Sequence, residues 1–144
     1  MKRMVLFSCL ILMGCHGEAL SGTHQNGGAL SIEAADTIES PVSGEIKNLE
    51  RFQRFLTNFN QKESDRIQLI HYTVEGDPIF QELAYDGDVI KTTIDSSEDA
   101  YGSGEIWSTV CGEVKEKKTT KGSEYVLRDC EDLEENLLFV VSEK

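Results

Sequence analysis

Between residues 46 and 59 the apolar positions recur at the spacing of a helix. They are Ile46, Leu49, Phe52, Phe55, Leu56 and Phe59. This spacing places them on one face of a helix, and charged residues such as Arg51 take the other face. The pattern predicts an amphipathic helix that packs on a sheet, is capped by Ser43 or Asn48, and ends at Asn60. Alternatively, the three phenylalanines of the stripe form a ligand-binding surface.

After this helix the chain shows only strand patterns. Segments rich in β-branched and aromatic residues span 66–74, 79–85, 89–95, 106–117, 123–130 and 136–142. Asp86-Gly87 is a strong hairpin signal, because a type I′ turn needs positive φ at both central residues. The segment 136–142 is apolar at successive positions, which predicts a strand inside the sheet or under cover.

The two turns predict the register of the first three strands. A two-residue loop at Asp86-Gly87 places Leu83 opposite Ile90, and a four-residue loop at 75–78 places Ile70 opposite Leu83. Both turns assign the same residues to one face, which we expect to cover the helix. These residues are Ile70, Tyr72, Val74, Ile79, Leu83, Ile90 and Ile94.

A later hairpin turns at 118–122 and places Cys111 directly opposite Cys130. The same register pairs Glu113 with Arg128, so opposite charges face each other. Opposed residues on neighbouring strands lie within disulfide range. We therefore predict a disulfide, and the alternative is a pair of free buried thiols. The fold class is α+β, with one amphipathic helix on an antiparallel meander of about six strands.

The composition narrows the classes of partner. The chain has 144 residues, with 14 Lys+Arg and 26 Asp+Glu, and its formal net charge is −12. Phosphate binding requires basic patches, so this charge argues against nucleic acid as a partner. It also argues against electrostatic docking on anionic lipid. An acidic surface keeps an exported protein soluble, and we expect a monomer.

The first fifteen residues have the parts of a secretory signal. Lys2-Arg3 precedes an apolar run at 5–13 that is too short to span a bilayer. The ending Leu12-Met13-Gly14-Cys15 resembles the lipobox of bacterial lipoproteins. The resemblance implies cleavage after Gly14 and a diacylglycerol thioether on Cys15, which anchors the chain to the extracytoplasmic face of the membrane. The alternative is an ordinary secretory signal that is cut elsewhere.

The sequence divides into three parts. Residues 1–14 are the expected signal, and their removal leaves 12 Lys+Arg against 26 Asp+Glu, a net charge of −14. Residues 15–43 are rich in Gly, Ser, Ala and Thr and predict a flexible tether, in which a helix at 32–38 would be marginal. Residues 44–144 form the expected α+β domain.

Residues from about 44 to 130 resemble a known family, the domain-of-unknown-function family 4362 of bacillus-type lipoproteins. The matching stretches are 46–52, 71–79 and 85–87, together with Asp95, Asp99, Cys111 and Cys130. The family has no assigned biochemistry, so the resemblance implies no activity, no catalytic residue and no cofactor.

His71 is the one histidine outside the signal and the tether. In the predicted register its side chain points away from the helix face. A hydrolase-like enzyme would use it as a base beside Glu75 or Asp77. More often a lone strand histidine is a surface or packing residue. The loops that carry Glu75, Asp77, Asp95 and Asp99 are alternatively binding loops, because rigid scaffolds present functional loops.

Several carboxylates cluster in the predicted loops. They are Asp86, Asp88, Asp95, Glu98 and Asp99. Oxygen-rich flexible loops suit calcium, although the spacing of an EF-hand is absent. Solvated turn residues are the ordinary explanation. The sequence therefore favours a non-enzymatic module that binds an envelope protein or a small ligand. The alternatives are a cation-binding accessory protein and an enzyme.

Overall fold

The computed structural model describes residues 32–142. Its elements are a 3₁₀ turn at Ala34–Asp36, one helix, α1 at Leu49–Gln61, and seven strands: β1 Thr37–Ser40, β2 Asp65–Tyr72, β3 Pro78–Tyr85, β4 Ile90–Asp95, β5 Ile106–Thr119, β6 Gly122–Cys130 and β7 Glu135–Ser142. Within this range no helix has the length and apolar character needed to cross a membrane. The predicted signal and Cys15 lie outside the described residues.

The strands form one sheet in chain order from β1 to β7. Each neighbouring pair from β2 onwards is antiparallel, as predicted, whereas β1 lies parallel to β2. The sheet therefore has seven strands rather than about six. The extra strand corrects the predicted tether, because Ile38 is fully buried and lies opposite Leu69. The domain thus begins before Gly44.

The apolar stripe of α1 packs into the core, as its spacing predicts. Phe52 and Phe55 are fully buried. The ring of Phe52 meets Tyr125 edge-on at 5.1 Å and Phe139 at 4.7 Å between ring centroids. Asn48 stands at the N-cap, but its side chain makes no capping bond. Its amide instead donates to the carbonyls of Ala35 and Thr37, so it fastens the helix to β1.

The helical pattern predicted that Arg51 lies on the solvent-exposed face of α1, but its side chain is only 5 % exposed. Its guanidinium donates to Asp36 at 2.7 Å and to both oxygens of Asp65, at 2.6 and 3.0 Å. A fourth bond reaches the carbonyl of Arg66. One buried cation therefore ties α1 to β2 and to the turn that precedes β1.

The predicted register between β2 and β3 is wrong by three residues. Thr73 and Asp77 close a three-residue loop, with the N–H of Thr73 donating to the carbonyl of Asp77 at 2.9 Å. Gly76 supplies the positive φ of 98° that this loop needs, and Pro78 opens β3, where a missing N–H is tolerated.

An odd shift exchanges the two faces of β2. Ile67 and Leu69 are fully buried in the core, and His71 shares their face. Ile70 and Tyr72 therefore lie on the outer face, and Val74 lies exposed at the loop tip. These three residues do not cover the helix, contrary to the prediction.

The register between β3 and β4 is shifted by two residues, so the assignment of faces survives. Gly87 and Asp88 form the two-residue loop, and the positive φ of Gly87 at its first position fits a type II′ turn. The carboxylate of Asp86 accepts from the N–H groups of Asp88 and Val89, both at 2.9 Å. Asp86 thus stands before the two-residue loop and stabilises it through its side chain, whereas the prediction placed Asp86 within the loop.

The predicted register between β5 and β6 is confirmed. Cys111 lies opposite Cys130 and Glu113 opposite Arg128. The Cα atoms of the two cysteines are 3.9 Å apart, and their sulfurs form a disulfide. Cys111 is fully buried within the core, so the crosslink is attached to the packed interior.

Strand β7 occupies an edge of the sheet, although its apolar sequence predicted an interior or covered strand. Three strands separate it from β3 in the sheet order, yet Gln81 on β3 donates a hydrogen bond to Asn136 on β7 at 2.9 Å. The sheet therefore curls until its last strand faces its first ones. The inner face holds the core and α1.

Candidate functional site

A polar cluster lies inside the curled sheet, centred on Gln81. This side chain is 2 % exposed and sits in a row of otherwise apolar inward positions on β3. Its amide nitrogen donates to Thr92 at 3.1 Å and to Asn136 at 2.9 Å, and its oxygen lies 3.2 Å from Nε2 of His71. Four strands, β2, β3, β4 and β7, thus contribute one polar side chain each.

The hydrogen bonds assign the protonation of His71. Both protons of the Gln81 amide go to oxygen acceptors, so the Gln81 oxygen must accept from Nε2–H of the imidazole. In the neutral ring Nδ1 is then an acceptor. Burial lowers the pKa of His71 below 6.5, and the hydrogen bond to Gln81 opposes this shift in part. The histidine is thus neutral at pH 7.

The buried histidine should make stability depend on pH. A pKa that is lower in the fold than in the unfolded chain favours the neutral form, so stability is full above about pH 6.5 and is lost as the pH falls through the folded pKa. We expect the melting temperature of the wild type to drop between pH 7.5 and pH 5, and the drop to be smaller in His71→Asn. Thermal unfolding at the two pH values measures both, and equal drops would contradict the assignment.

A cavity of about 380 Å³ opens beside this cluster. Aliphatic side chains of Ile79, Ile94 and Leu137 form much of its wall. Ser40 and Asn136 line it as well, and within residues 32–142 the Ser40 hydroxyl and the Asn136 amide nitrogen donate no hydrogen bond. Apolar walls with a few polar groups that retain hydrogen-bonding capacity are typical of a ligand site.

The structure corrects the predicted surroundings of His71. Its side chain lies on the inner face of the sheet and hydrogen-bonds Gln81, whereas the prediction placed it outward beside Glu75 or Asp77. The shift of the β2–β3 register causes the difference. Glu75 is exposed at the tip of its loop.

Asp77 links two of the predicted binding loops through a hydrogen bond. Its carboxylate accepts from the N–H of Ala100 at 3.1 Å and so joins the β2–β3 loop to the loop before β5. Val74 and Tyr101 project from these loops, 82 % and 83 % exposed. The structure therefore brings together two loops that are far apart in the sequence. The sequence pattern did not predict this contact.

The candidate metal ligands act within their own turns. Asp95 accepts from the N–H of Ser97, and Asp99 accepts from the N–H groups of Tyr101 and Gly102. Hydrogen bonds to the carboxylates lower the pKa of Asp86 and of Asp95. Asp88 and Glu98 are exposed. No group of three or more potential ligands comes together among residues 32–142.

Sequence reasoning missed Gln81, Thr92 and Asn136 as members of the site. One signal was available for Gln81, because it interrupts an alternating row that contains Ile79, Leu83 and Tyr85. A polar residue at an inward position requires a buried partner. The identity of that partner depended on the curl of the sheet, which brings Asn136 from a strand far along the chain.

Comparison with models of protein families identifies the family of this chain. The family model described as "Domain of unknown function (DUF4362)" matches residues 36–126. The match begins just before β1 and covers the helix and the strands up to the middle of β6. No curated protein and no solved structure matches the chain.

Proposed function

Because the chain belongs to the DUF4362 family of domains of unknown function, we infer its role from its own candidate site, and we propose that the protein is a lipid-anchored, non-enzymatic binding module of the bacterial cell envelope. The observation that carries this proposal is the cavity of about 380 Å³ beside the Gln81 cluster. Three polar side chains of its wall, His71, Gln81 and Asn136, are held by hydrogen bonds to one another, so they orient a ligand at little entropic cost.

The chemistry of the cavity supports binding more than catalysis. His71 is committed to Gln81 through Nε2, and its hydrogen bonds within the described residues include no carboxylate. Acid–base catalysis usually relies on such an orienting partner. The side chains that line the cavity are uncharged, given the neutral imidazole, and several are aliphatic. The cavity therefore favours an uncharged ligand that combines apolar groups with a hydrogen-bond donor and acceptor.

The location at the envelope rests on the amino-terminal residues and the disulfide. Cys15 follows a lipobox-like sequence, and two acyl chains suffice for stable anchoring. The bond between Cys111 and Cys130 persists in oxidising compartments and is rare in the cytosol. Both features support export, followed by retention at the outer face of the membrane.

An experiment in intact cells tests this function. We expect the wild type in the membrane fraction and Cys15→Ala in the medium, because the variant lacks the acyl acceptor. A photoreactive residue at position 40, on the wall of the cavity, should give a light-dependent adduct with an envelope component.

The matched control places the photoreactive residue at position 106. Ile106 is 64 % exposed and lies away from the cavity. An adduct from position 106 as strong as that from position 40 would count against the site. Membrane retention of Cys15→Ala would count against the anchor.

A further inference from the structure

Strand β7 presents a long apolar edge. Its outer side pairs with no strand in the part of the chain that the structure describes. The sequence from Glu135 to Ser142 contains neither proline nor a basic residue, both of which commonly protect exposed edges. A one-residue shift in the pairing with β6 interrupts the strand at Leu138, so the edge consists of the regular segments on either side of that residue. Leu137 and Val140 remain 54 % and 38 % exposed. An edge of this kind is a template for another extended segment.

The opposite edge of the sheet differs in length and cover. Strand β1 has four residues, and Lys47 pairs with its outer side, where the Lys47 N–H donates to the Glu39 carbonyl at 3.0 Å. The Lys47 ammonium also pairs with the Glu39 carboxylate. Of the two edges, β7 is therefore the open one.

Two cavities lie along β7. The one of about 380 Å³ is lined by residues 136–140 of the strand, together with His71 and Gln81. The other, of about 260 Å³, is lined by residues 140–142 and, across from them, by Ile46 and Leu49. When a peptide adds to a sheet edge, its main chain provides affinity and its alternate side chains fill pockets that provide specificity. An open edge flanked by cavities matches that mode.

The charge beside β7 selects the kind of segment. Residues 131–135 contain four carboxylates, and Glu135 pairs with Lys117, whereas Glu131, Asp132 and Glu134 form no ion pair within residues 32–142. A second copy of the chain would bring another formal charge of −12 to the interface. Like charges disfavour that pairing, whereas a basic residue at one end of a peptide is attracted.

We propose that β7 binds an extended peptide segment of a partner protein, with aliphatic side chains at alternate positions and a basic end. The segment adds as a further strand outside β7, and its side chains enter the two cavities. This inference rests on the proposed binding function and names the class of partner for that site.

Blocked heptapeptides of defined sequence test the inference. The first probe is Lys-Lys-Val-Thr-Val-Thr-Val. In the second, two glutamates replace the two lysines, and in the third, proline replaces the first threonine. They are titrated into the full chain carrying Cys15→Ala, with backbone amide shifts followed by NMR. We expect saturable shifts in residues 135–142, about tenfold weaker binding of the acidic peptide, and none of the proline peptide.

Two variants of the chain place the interaction on β7. Val140 lines both cavities, and Val140→Lys should weaken binding of the basic peptide at least about tenfold, because it adds a like charge at the edge. Ile106→Lys changes an exposed apolar residue elsewhere and should leave binding unchanged. Unaltered melting temperatures show that both variants remain folded.

Other results would overturn the inference. These are no saturable shift with the basic peptide, shifts confined to other strands, or concentration-dependent shifts in β7 without peptide, which indicate a second copy as the occupant. If one of these NMR results is obtained but the adduct from position 40 still forms in cells, the peptide hypothesis is rejected and the proposed binding function is retained. Loss of that adduct removes the binding function itself.

Discussion

Replacing Arg51 with Ala should lower the free energy of unfolding by about 3–5 kcal/mol. The side chain is 5 % exposed and bonds Asp36, both oxygens of Asp65 and the carbonyl of Arg66. Its removal leaves the carboxylate of Asp65, itself largely buried, without its cation. Removing one partner of a buried pair costs more than the pair contributes, because the remaining charge stays desolvated.

Urea unfolding, followed by the fluorescence of the single tryptophan, measures this loss. Arg54→Ala is the matched control, since it removes the same side chain from an exposed position of the same helix. Its effect should stay within about 0.5 kcal/mol. Arg51→Lys should fall between the two, because an ammonium cannot reproduce the two-pronged contact with Asp65. Equal stability of Arg51→Ala and Arg54→Ala would refute the structural role of the buried cation.

The same network predicts the pH range of the effect. Burial raises the pKa of Asp65, but the hydrogen bonds from Arg51 and Asn58 outweigh it and hold the pKa below the ordinary value of 3.8. The contribution of a carboxylate with a lowered pKa is full above its unfolded pKa and is lost as the pH falls through the folded one. The difference between wild type and Arg51→Ala should therefore shrink below about pH 4.

Local patterns predicted the parts of the fold that local physics determines. The periodicity of the stripe from Ile46 to Phe59 identified α1, because burial of one face is the main requirement of a surface helix. The opposed charges and the opposed cysteines on either side of one turn identified the β5–β6 register, because both kinds of pair require the same alignment of the two strands. Each of these features involves neighbours in the sequence.

The failures share a different origin. Gly76 and Pro78 stand near the turn between β2 and β3, and the sequence pattern did not decide whether the proline lies in the turn or opens the strand. That choice moved the register by three residues and turned His71 inward. Strand β1 was missed because a parallel partner far along the chain stabilises its four residues. Arg51 reads as a surface residue until Asp36 and Asp65 are brought beside it.

The candidate site was less predictable than the fold for the same reason. Its polar cluster joins Gln81 to Asn136, two residues that meet because the sheet curls. Curl arises from twist and register accumulated over several strands, so an error in one hairpin hides the site. The disulfide, by contrast, depends on one hairpin, and the sequence located it.

Loss of the disulfide should lower the free energy of unfolding by about 3 kcal/mol, which corresponds to a decrease of roughly 10 °C in melting temperature. The bond joins residues 19 apart and restricts the unfolded chain, so its removal enlarges the unfolded ensemble. Cys111 is also fully buried, and a free thiol there keeps the packing but not the constraint.

Thermal unfolding with and without reductant measures this contribution in the full chain carrying Cys9→Ala and Cys15→Ala, which removes the two thiols outside the disulfide. The double variant Cys111→Ala with Cys130→Ala should melt lower than its parent and should not respond to reductant, which separates the bond from general effects of the reagent. The expected order is oxidised parent above reduced parent, with the double variant lowest, because alanine also leaves a small cavity at the buried position 111. Equal melting of the oxidised and reduced parent would show that the β5–β6 register holds through its backbone pairing and packing alone, without help from the crosslink.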